Sequence, residues 1–179
     1  RVELIFVDDC CPNNSKDAVL KAWSKRQKEL NGRGVGKIIY NIENKGYGTA
    51  CNIGAEVAKG EYVIFLNADT QVTPGWIKPM IDLFEDKHVG IVGNLQINQG
   101  GMWDGTIDSA GSEWTWASGS FVHIGRHSYK RQNLPMPWKP DKAPDDVMKV
   151  GEREMVTGCC IAMKREMFNY VGGFNPNYR

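Results

Sequence analysis

Apolar, strand-like runs alternate with helix-like segments along the first half of the chain, and this alternation restricts the possible folds more than any other feature. Residues 62–66, YVIFL, have the unbroken apolar character of a strand that is buried on both faces. Comparable runs at 2–9, 37–43 and 89–97 predict further strands. Such alternation is typical of a mostly parallel sheet with helices on both faces. The sequence therefore predicts an α/β fold.

Helix signals fill the intervals between the predicted strands. Pro12 to Ser15 predict a turn that leads into a helix, in which Val19, Trp23 and Leu30 recur at near-helical spacing. Asn31–Gly32 predicts the end of this helix. Two further helices are predicted, one within 44–60 that follows a glycine-rich loop and one that starts at Thr73–Pro74 and reaches about Asp86.

From residue 98 onward the alternation of strand-like and helix-like segments stops. Residues 98–150 are rich in Gly, Trp and Ser, and the proline-rich segment 133–146 predicts a loop. A strand over about 154–163 and a short helix that ends at Gly172–Gly173 follow. Because the chain has neither an internal repeat nor a second apolar core, we predict a single domain over residues 1–179.

The amino-acid composition argues against several classes of protein. The chain is 41% hydrophobic and 24% charged with a net charge of +1, which argues against disorder and against a basic protein that coats nucleic acid. No apolar run reaches the roughly 18 residues that a membrane-spanning helix needs. The five cysteines lack disulfide or zinc spacing, so we expect reduced, mostly buried thiols in a cytosolic protein.

Carboxylate and amide side chains gather at the carboxyl ends of the predicted strands, the edge where open parallel sheets bind ligands. Asp8 and Asp9 end the first strand, and Asn67 and Asp69 follow the third. Mg²⁺ and Mn²⁺ often combine one or two carboxylates with phosphate oxygens, so Asp69 is a candidate ligand of a metal-bound nucleotide diphosphate. The alternative is that Asp69 caps the turn before Pro74 and that Asp9 serves only a turn.

Other catalytic patterns are weak or absent. Gly46, Gly48 and Gly54 could bring backbone close to a phosphate, but tight packing of their helix on the sheet explains them better. The sequence contains neither a Walker loop nor a dinucleotide-binding glycine motif. The three histidines lack metal-ligand spacing, and no G-x-S-x-G motif supports a serine hydrolase.

Four segments in a fixed order resemble family 2 glycosyltransferases, which have the GT-A nucleotide-diphospho-sugar transferase fold. They are VDD at 7–9, residues 44–76, IDSAG at 107–111 and residues 156–178. The resemblance covers nearly the whole chain. The sequence Asn-Ala-Asp-Thr at 67–70, in place of the usual Asp-x-Asp, is similar to a bacterial branch that includes rhamnosyltransferase-like enzymes of cell-envelope polysaccharides.

The resemblance implies roles for individual residues. Asp9 would contact the nucleotide base, and Asp69 would bind the Mg²⁺ or Mn²⁺ ion that holds the diphosphate. Because Asn67 replaces the first Asp of the motif, one carboxylate is left for the metal. Thr157 and Gly158 match the strand that borders the sugar and acceptor pocket. The full implied nucleotide-sugar-binding set is Asp8, Asp9, Lys45, Gly46, Asn67 and Asp69.

The implied reaction is a direct displacement with inversion. A base removes the proton of the acceptor hydroxyl, which attacks the anomeric carbon while the metal stabilises the departing diphosphate. The donor is a nucleotide-diphosphate sugar and the acceptor is a saccharide or lipid-linked saccharide. Residues 1–97 would form the nucleotide-sugar-binding half and 98–179 the acceptor-side half. The resemblance implies a cytoplasmic enzyme, with any contact to the inner face of the membrane made outside this chain.

Two parts of the family pattern are absent from the sequence. Family members have a strand before VDD, and a Glu-Asp pair after the GGF turn whose Asp acts as the base. We therefore expect a partial domain that lacks its first strand, with the catalytic base beyond Arg179 and little activity of its own. Since a sheet without that strand has unpaired backbone groups, we expect strand exchange, an oligomer or marginal stability.

Two other functions stay open at this point. A sugar nucleotidyltransferase shares the architecture, although the sequence shows no Gly-rich loop with Arg and Lys near its start. A non-catalytic nucleotide-sugar-binding or scaffolding domain is the other alternative. Trp103, Trp114, Trp116 and Trp138 are candidates for stacking on acceptor sugars, and for each of them packing within the fold is the alternative interpretation.

Overall fold

The structure is a computed structural model that describes residues 2–13, 15–29, 35–127, 147 and 149–178. Contacts group the chain into two compact units, residues 1–63 with 163–179 and residues 64–162. The elements in chain order are β1 Glu3–Asp8, α1 Ser15–Glu29, β2 Val35–Tyr40, α2 Tyr47–Val57, β3 Tyr62–Leu66, α3 Ile77–Asp82, a 3₁₀ turn Leu83–Glu85, β4 Ile91–Val92, β5 Gln96–Ile97, β6 Ile107–Ser109, β7 Ser112–Thr115, β8 Ser120–His123, β9 Cys160–Lys164 and α4 Arg165–Tyr170.

A parallel strand pair forms the centre of the first unit. Strands β1 and β2 pair from Glu3 opposite Val35 to Asp8 opposite Tyr40. The ladder continues for one more hydrogen bond, in which the Asn41 N–H donates to the Asp8 carbonyl at 2.8 Å. Because the strands are parallel, their carboxyl ends lie at one edge. The turn after β1 and the loop after β2 therefore meet there.

Two helices of this unit approach the strand pair through glycines. A Cβ at Gly54 of α2 would lie 3.2 Å from Cγ2 of Val7, so the missing side chain lets the helix pack closely on β1. A Cβ at Gly36 of β2 would lie 2.1 Å from the Trp23 ring, which occupies that space. Val19 and Trp23 are half-buried among exposed neighbours of α1, as predicted for its apolar face, and the third predicted member, Leu30, lies outside the described residues.

The end of the chain closes the same unit. The Asn52 side chain of α2 donates to the Phe174 carbonyl at 2.8 Å and accepts from the Phe174 N–H at 2.9 Å. The Phe168 ring of α4 is buried and meets the Phe174 ring edge-on, with centroids 5.5 Å apart. The predicted short helix before Gly172–Gly173 is thus confirmed, and α4 ends in a turn that is fixed to α2.

Most of a three-stranded sheet with the order β3-β9-β4 lies in the second unit, which includes β4, β3 from Ile64 and β9 up to Ala162. Its central strand, β9, is buried from Cys160 to Met163. The prediction that 62–66 is buried on both faces is wrong, because β3 lies at the edge of this sheet and alternates between buried and half-exposed residues, with Leu66 exposed. The central strand β9 is therefore buried, whereas the equally apolar edge strand β3 is buried only at alternate residues.

Antiparallel pairs follow within the second unit. Strands β5 and β6 pair with a register irregularity at Gln96–Ile97, and β7 and β8 form a hairpin. Ser112 at the start of β7 also forms an isolated bridge with Met155. Within the described part of 98–150, the strands are β6, β7 and β8, and turns connect them.

Two element predictions in this unit are wrong in their extent. The strand predicted at 89–97 is divided between β4 and β5, which belong to different sheets. A Cβ at Gly93 would lie 2.7 Å from Val156, so the backbone passes too close to its neighbour for any side chain at this point. The strand predicted to start near 154 begins only at Cys160, after an extended segment that contains the bridge at Met155.

The helix predicted from Thr73–Pro74 begins instead at Ile77. Residues 73–76 form a turn, closed by the Trp76 N–H and the Thr73 carbonyl at 3.4 Å. Gly75 has a φ of +77°, which a right-handed helix does not allow, so the helix starts two residues later. It ends in the 3₁₀ turn that reaches Glu85, close to the predicted end.

Several sequence predictions concern thiols, membranes or residues outside the described part. All five cysteines are free, but only Cys160 is buried, so the prediction of mostly buried thiols is wrong. Among the described residues, no helix combines the length and the apolar character needed to cross a membrane. The predicted helix end at Asn31–Gly32 and the loop 133–146, with Trp138, lie outside the described residues.

Candidate functional site

The Asp9 carboxylate links the end of β1 to the start of α2. Its Oδ1 accepts from the Asn41 side-chain amide at 2.7 Å and from the Lys45 N–H at 3.0 Å. Its Oδ2 accepts from the Gly46 N–H at 2.8 Å. Three of the predicted site residues, Asp9, Lys45 and Gly46, are thus brought together in the first unit. Asn41, the fourth member, is a residue that sequence reasoning missed.

These contacts keep Asp9 ionised. Partial burial by itself raises the pKa of a carboxyl group, because it disfavours the charged form. The hydrogen bonds from Asn41, Lys45 and Gly46, together with the charge of Lys45, outweigh this effect and lower the pKa of Asp9 below its usual value. The edge of β1 therefore carries a fixed negative charge at neutral pH.

Glycines shape the entry to α2. Gly46 precedes the helix with a φ of +84°, a conformation that other residues rarely adopt, and no side chain caps the helix there. A Cβ at Gly48 would lie 3.1 Å from Cβ of Phe174, and Gly54 lies against β1. The predicted packing on the sheet is confirmed for Gly54, whereas Gly48 packs against Phe174 in the turn after α4. Gly46 is required by the turn that brings two backbone N–H groups onto Asp9.

Asp8 faces a different environment from its neighbour. It is buried, and its Oδ1 accepts a hydrogen bond from the Cys11 N–H at 2.8 Å. This bond closes the turn after β1, in which Cys10 has a φ of +60°. Asp8 therefore stabilises the turn that positions Asp9.

Asn67 and Asp69 lie just beyond β3, in the second unit. The Asn67 N–H donates to the Cys159 carbonyl at 2.8 Å, and the Thr70 N–H closes a turn onto the Asn67 carbonyl at 3.1 Å. The Oδ1 atom of Asn67 is buried and accepts no hydrogen bond in the part of the chain that the structure describes. The Asp69 residue is exposed, and no described residue donates a hydrogen bond to its carboxylate. The turn-capping interpretation of Asp69 thus has no hydrogen bond to support it.

The chemistry of these two side chains fits a hard divalent cation. An amide oxygen without a hydrogen bond and an exposed carboxylate, two residues apart, are both oxygen donors of the type that Mg²⁺ and Mn²⁺ prefer. Within the described residues, no group of three or more His, Cys, Asp and Glu side chains forms a metal cluster. A cation here would take most of its ligands from phosphate or water.

Thr157 belongs to a polar network that includes Gln96 of β5. The Gln96 Nε2 donates to Thr157 Oγ1 and, at 3.4 Å, to Asn94 Oδ1. Thr157 Oγ1 also lies 3.5 Å from the sulfur of Cys159, whose carbonyl accepts from Asn67. The backbone of Asn67 is therefore bonded to the segment 157–159, which carries Thr157, within the second unit. Gly158 lies between Thr157 and Cys159 and is exposed.

Sequence reasoning missed Asn41 and Gln96. Asn41 carries the signal that identified Asp9 and Asn67, a polar side chain directly after an apolar strand, whereas Gln96 is the first residue of β5. Asn41 was predicted to lie inside the strand 37–43, but β2 ends at Tyr40. Gln96 was predicted to lie inside the strand 89–97, which is interrupted at Gly93. A correct end of β2 would have revealed Asn41, whereas Gln96 is linked to the site through its hydrogen bond to Thr157, which the sequence does not show.

Sequence comparison identifies a family for this chain. The glycosyl transferase family 2 profile matches residues 1–172. An uncharacterized glycosyltransferase of Nostoc sp. PCC 7120 is 31% identical over 113 residues, which are 63% of this chain and 32% of that protein. The O-antigen biosynthesis protein RfbC of Myxococcus xanthus is 26% identical over 135 residues, 72% of this chain and 9% of that protein. The chain thus spans a third or less of the length of these relatives.

Structural comparison agrees with this family. A mannosyltransferase of Pyrobaculum calidifontis, solved in complex with GDP-Man and Mn²⁺, superimposes with a TM-score of 0.61. The match covers 98% of this chain and 39% of that one at 18% sequence identity, so it concerns the fold. The predicted α/β fold of the GT-A type is confirmed. The chain belongs to glycosyl transferase family 2 and has the GT-A glycosyltransferase fold.

Proposed function

We propose that this chain is the donor-binding part of an inverting glycosyltransferase, which moves a sugar from a nucleotide-diphosphate donor to an acceptor hydroxyl in the synthesis of a cell-envelope polysaccharide. Family membership supports sugar transfer, and similarity to an O-antigen biosynthesis protein supports the envelope role. The observation that carries the proposal is the pair of oxygen donors, Asn67 Oδ1 and the Asp69 carboxylate, at the carboxyl end of β3.

Asp69 and Asn67 would hold the divalent cation. The Asn67 side-chain oxygen is buried and receives no hydrogen bond from the residues that the structure describes, a costly state that a ligand would relieve. A bound cation there would neutralise part of the charge of the donor diphosphate. The Mn²⁺ in the complex of the Pyrobaculum mannosyltransferase supports this assignment.

Asp9 would recognise the nucleotide base. A carboxylate that is held in place by Asn41, Lys45 and Gly46 loses little conformational freedom when it accepts one more hydrogen bond. The N–H groups of a pyrimidine or guanine ring are suitable donors. The lowered pKa of Asp9 keeps it an acceptor at neutral pH.

The acceptor would meet the Thr157 and Gly158 segment. Thr157 is oriented by Gln96, and the exposed Gly158 leaves backbone accessible beside it. A general base must take the proton of the acceptor hydroxyl, a contribution of about 10²–10⁴-fold to the rate. None of the described residues is assigned this role.

Calorimetric titration of UDP, dTDP and GDP, each with and without Mn²⁺, tests the proposal. We expect one nucleotide to bind in a Mn²⁺-dependent manner, and Asp69→Ala to weaken that binding by about tenfold or more. Asp82→Ala is the matched control, because it removes an exposed carboxylate of α3 that pairs with Lys78. Equal Mn²⁺-dependent affinity in the chain and in Asp69→Ala would contradict the metal assignment, and no binding of any nucleotide would contradict the donor site.

A further inference from the structure

We propose that the hairpin β7–β8 carries a platform on which the saccharide acceptor stacks. The platform consists of Trp114, Trp116 and Phe121, and it rests on the proposed function because it names the acceptor-binding surface of that reaction. Among the tryptophans considered as sugar contacts, Trp103 has one ring face covered by the parallel imidazole of His127, with centroids 4.0 Å apart. Trp114 and Trp116 are the better candidates.

The three rings of the platform share one face of the hairpin. Trp114 lies directly opposite Phe121 in the ladder, so both side chains leave the same face. The ring centroids of this pair are 5.4 Å apart at 77°, and those of Trp114 and Trp116 are 5.9 Å apart at 81°. Nearly perpendicular rings form a corner with two aromatic walls.

The platform is a surface feature of a firmly held hairpin. At the inner end of the same face, Ser112 is fully buried and its hydroxyl lies 2.7 Å from Nδ1 of His123. The backbone of Ser112 exchanges hydrogen bonds with Met155 on the other side. Toward the outer end the rings become accessible, and Trp116 is 89% exposed. The hairpin therefore presents Trp116 almost fully, and Trp114 and Phe121 in part, to solvent, while hydrogen bonds outside these rings hold its base.

Carboxylates flank the aromatic surface. Glu113, Glu152 and Glu154, together with Trp114 and Arg153, line an open depression of about 420 Å³. Glu154 accepts from the Trp114 N–H, while the Arg153 side chain donates to the carbonyls of Ala110 and Glu152. Glu152 is an exposed acceptor for hydroxyl donors, whereas Glu113, next to Trp114 in β7, leaves the opposite face of the hairpin.

This combination fits a neutral saccharide. A pyranose has C–H groups on its faces, which interact with the negative face of an aromatic ring, and hydroxyl groups around its rim, which donate to carboxylates. The carboxylates disfavour an anionic membrane surface because like charges repel. An apolar peptide would leave the same carboxylates without donors.

Titration with neutral trisaccharides of mannose, N-acetylglucosamine and rhamnose, followed by the indole N–H signals in NMR spectra, tests the platform. We expect one saccharide to shift the Trp114 and Trp116 signals, and Trp116→Ala and Phe121→Ala to weaken its binding by about tenfold. Tyr170→Ala is the matched control, because it removes an aromatic side chain of α4 that is 88% exposed.

The outcomes separate this inference from the proposed function. Nucleotide binding in calorimetry, combined with no saccharide binding or with affinity that Trp116→Ala leaves unchanged, would overturn the platform alone. Loss of binding to phosphatidylcholine–phosphatidylserine vesicles in Trp116→Ala, without a saccharide effect, would overturn it in favour of a membrane. Saccharide binding without nucleotide binding would support the platform and contradict the donor site.

Discussion

At the scale of single residues, Asp9 illustrates how one carboxylate organises three pieces of chain. It follows β1, accepts from Asn41 after β2, and accepts from Lys45 and Gly46 at the start of α2. Hydrogen bonds to a charged acceptor are stronger than neutral ones. The same side chain that is proposed to recognise the nucleotide therefore also stabilises the loop around it.

Asp9→Asn should reduce the free energy of unfolding by about 1–2 kcal/mol at neutral pH, because an amide cannot accept at both positions and its NH₂ group faces other donors. The folded state lowers the pKa of Asp9, so its contribution is fully present above the usual value of 3.8 and is lost as the pH falls through the lowered pKa. The difference between the chain and the variant should shrink in strongly acidic solution. Urea unfolding as a function of pH measures it.

The control for this experiment is Glu56→Gln, which removes an exposed carboxylate from α2. We expect a change within about 0.5 kcal/mol for this variant. An Asp9→Asn effect that stayed constant from neutral to strongly acidic pH would show that the charge of Asp9 is not the cause.

Sequence alone predicted the residues of this site better than their roles. The position of Asp9 at a strand end made it a candidate, and the resemblance to family 2 glycosyltransferases placed it in one set with Lys45 and Gly46. It could not separate Asp8 from Asp9, since adjacent residues of an extended chain point to opposite sides and only the turn decides which one is buried.

At the scale of elements, the turn after α4 depends on glycine for two different reasons. Gly172 and Gly173 both have positive φ, at +82° and +74°. A Cβ at Gly172 would meet open space, whereas a Cβ at Gly173 would lie 2.6 Å from Oδ1 of Asn52. That oxygen accepts the Phe174 N–H, so a side chain at Gly173 would disturb the link between the turn and α2.

Gly172→Ala should destabilise the fold by about 1 kcal/mol through backbone strain alone. Gly173→Ala should cost about 1–3 kcal/mol more, because the new methyl group also displaces the Asn52 side chain. Thermal unfolding of the two variants in parallel measures the difference. Equal losses of stability would mean that the contact with Asn52 contributes nothing.

The element predictions failed where tertiary contacts override a local pattern. The apolar run 89–97 looks continuous, but Gly93 lies against Val156 and divides it into β4 and β5. Thr73–Pro74 looks like a helix start, yet the positive φ of Gly75 delays the helix to Ile77. The alternation over residues 2–66 succeeded because each of its three strands has its own apolar run.

At the scale of the whole molecule, residues 163–179 group with residues 1–63 rather than with the segment that precedes them. The Phe174 ring connects these distant parts of the sequence, since it meets both Phe168 of α4 and Tyr47 of α2. The beginning of the chain therefore depends on its end for part of its packing.

Phe174→Ala should lower stability by about 2–3 kcal/mol, less than for a fully buried ring because Phe174 is half-buried. Amide hydrogen exchange should show faster exchange within α2, which loses its contacts with the ring. Val171→Ala, at an exposed position of the same segment, should leave α2 protection unchanged. An equal effect of both variants on α2 would argue against a specific role of the Phe174 ring.

The construction of the hairpin β7–β8 affects how the sequence of such a protein can evolve. The Ser112–His123 hydrogen bond and the backbone bridge between Ser112 and Met155 hold its base, and neither of them involves the rings of the platform. Substitutions at Trp116 or Phe121 should therefore alter what the surface recognises at little cost in foldedness. Mutations in such a hairpin can therefore change which ligand it binds during evolution, while the fold of the rest of the domain is kept.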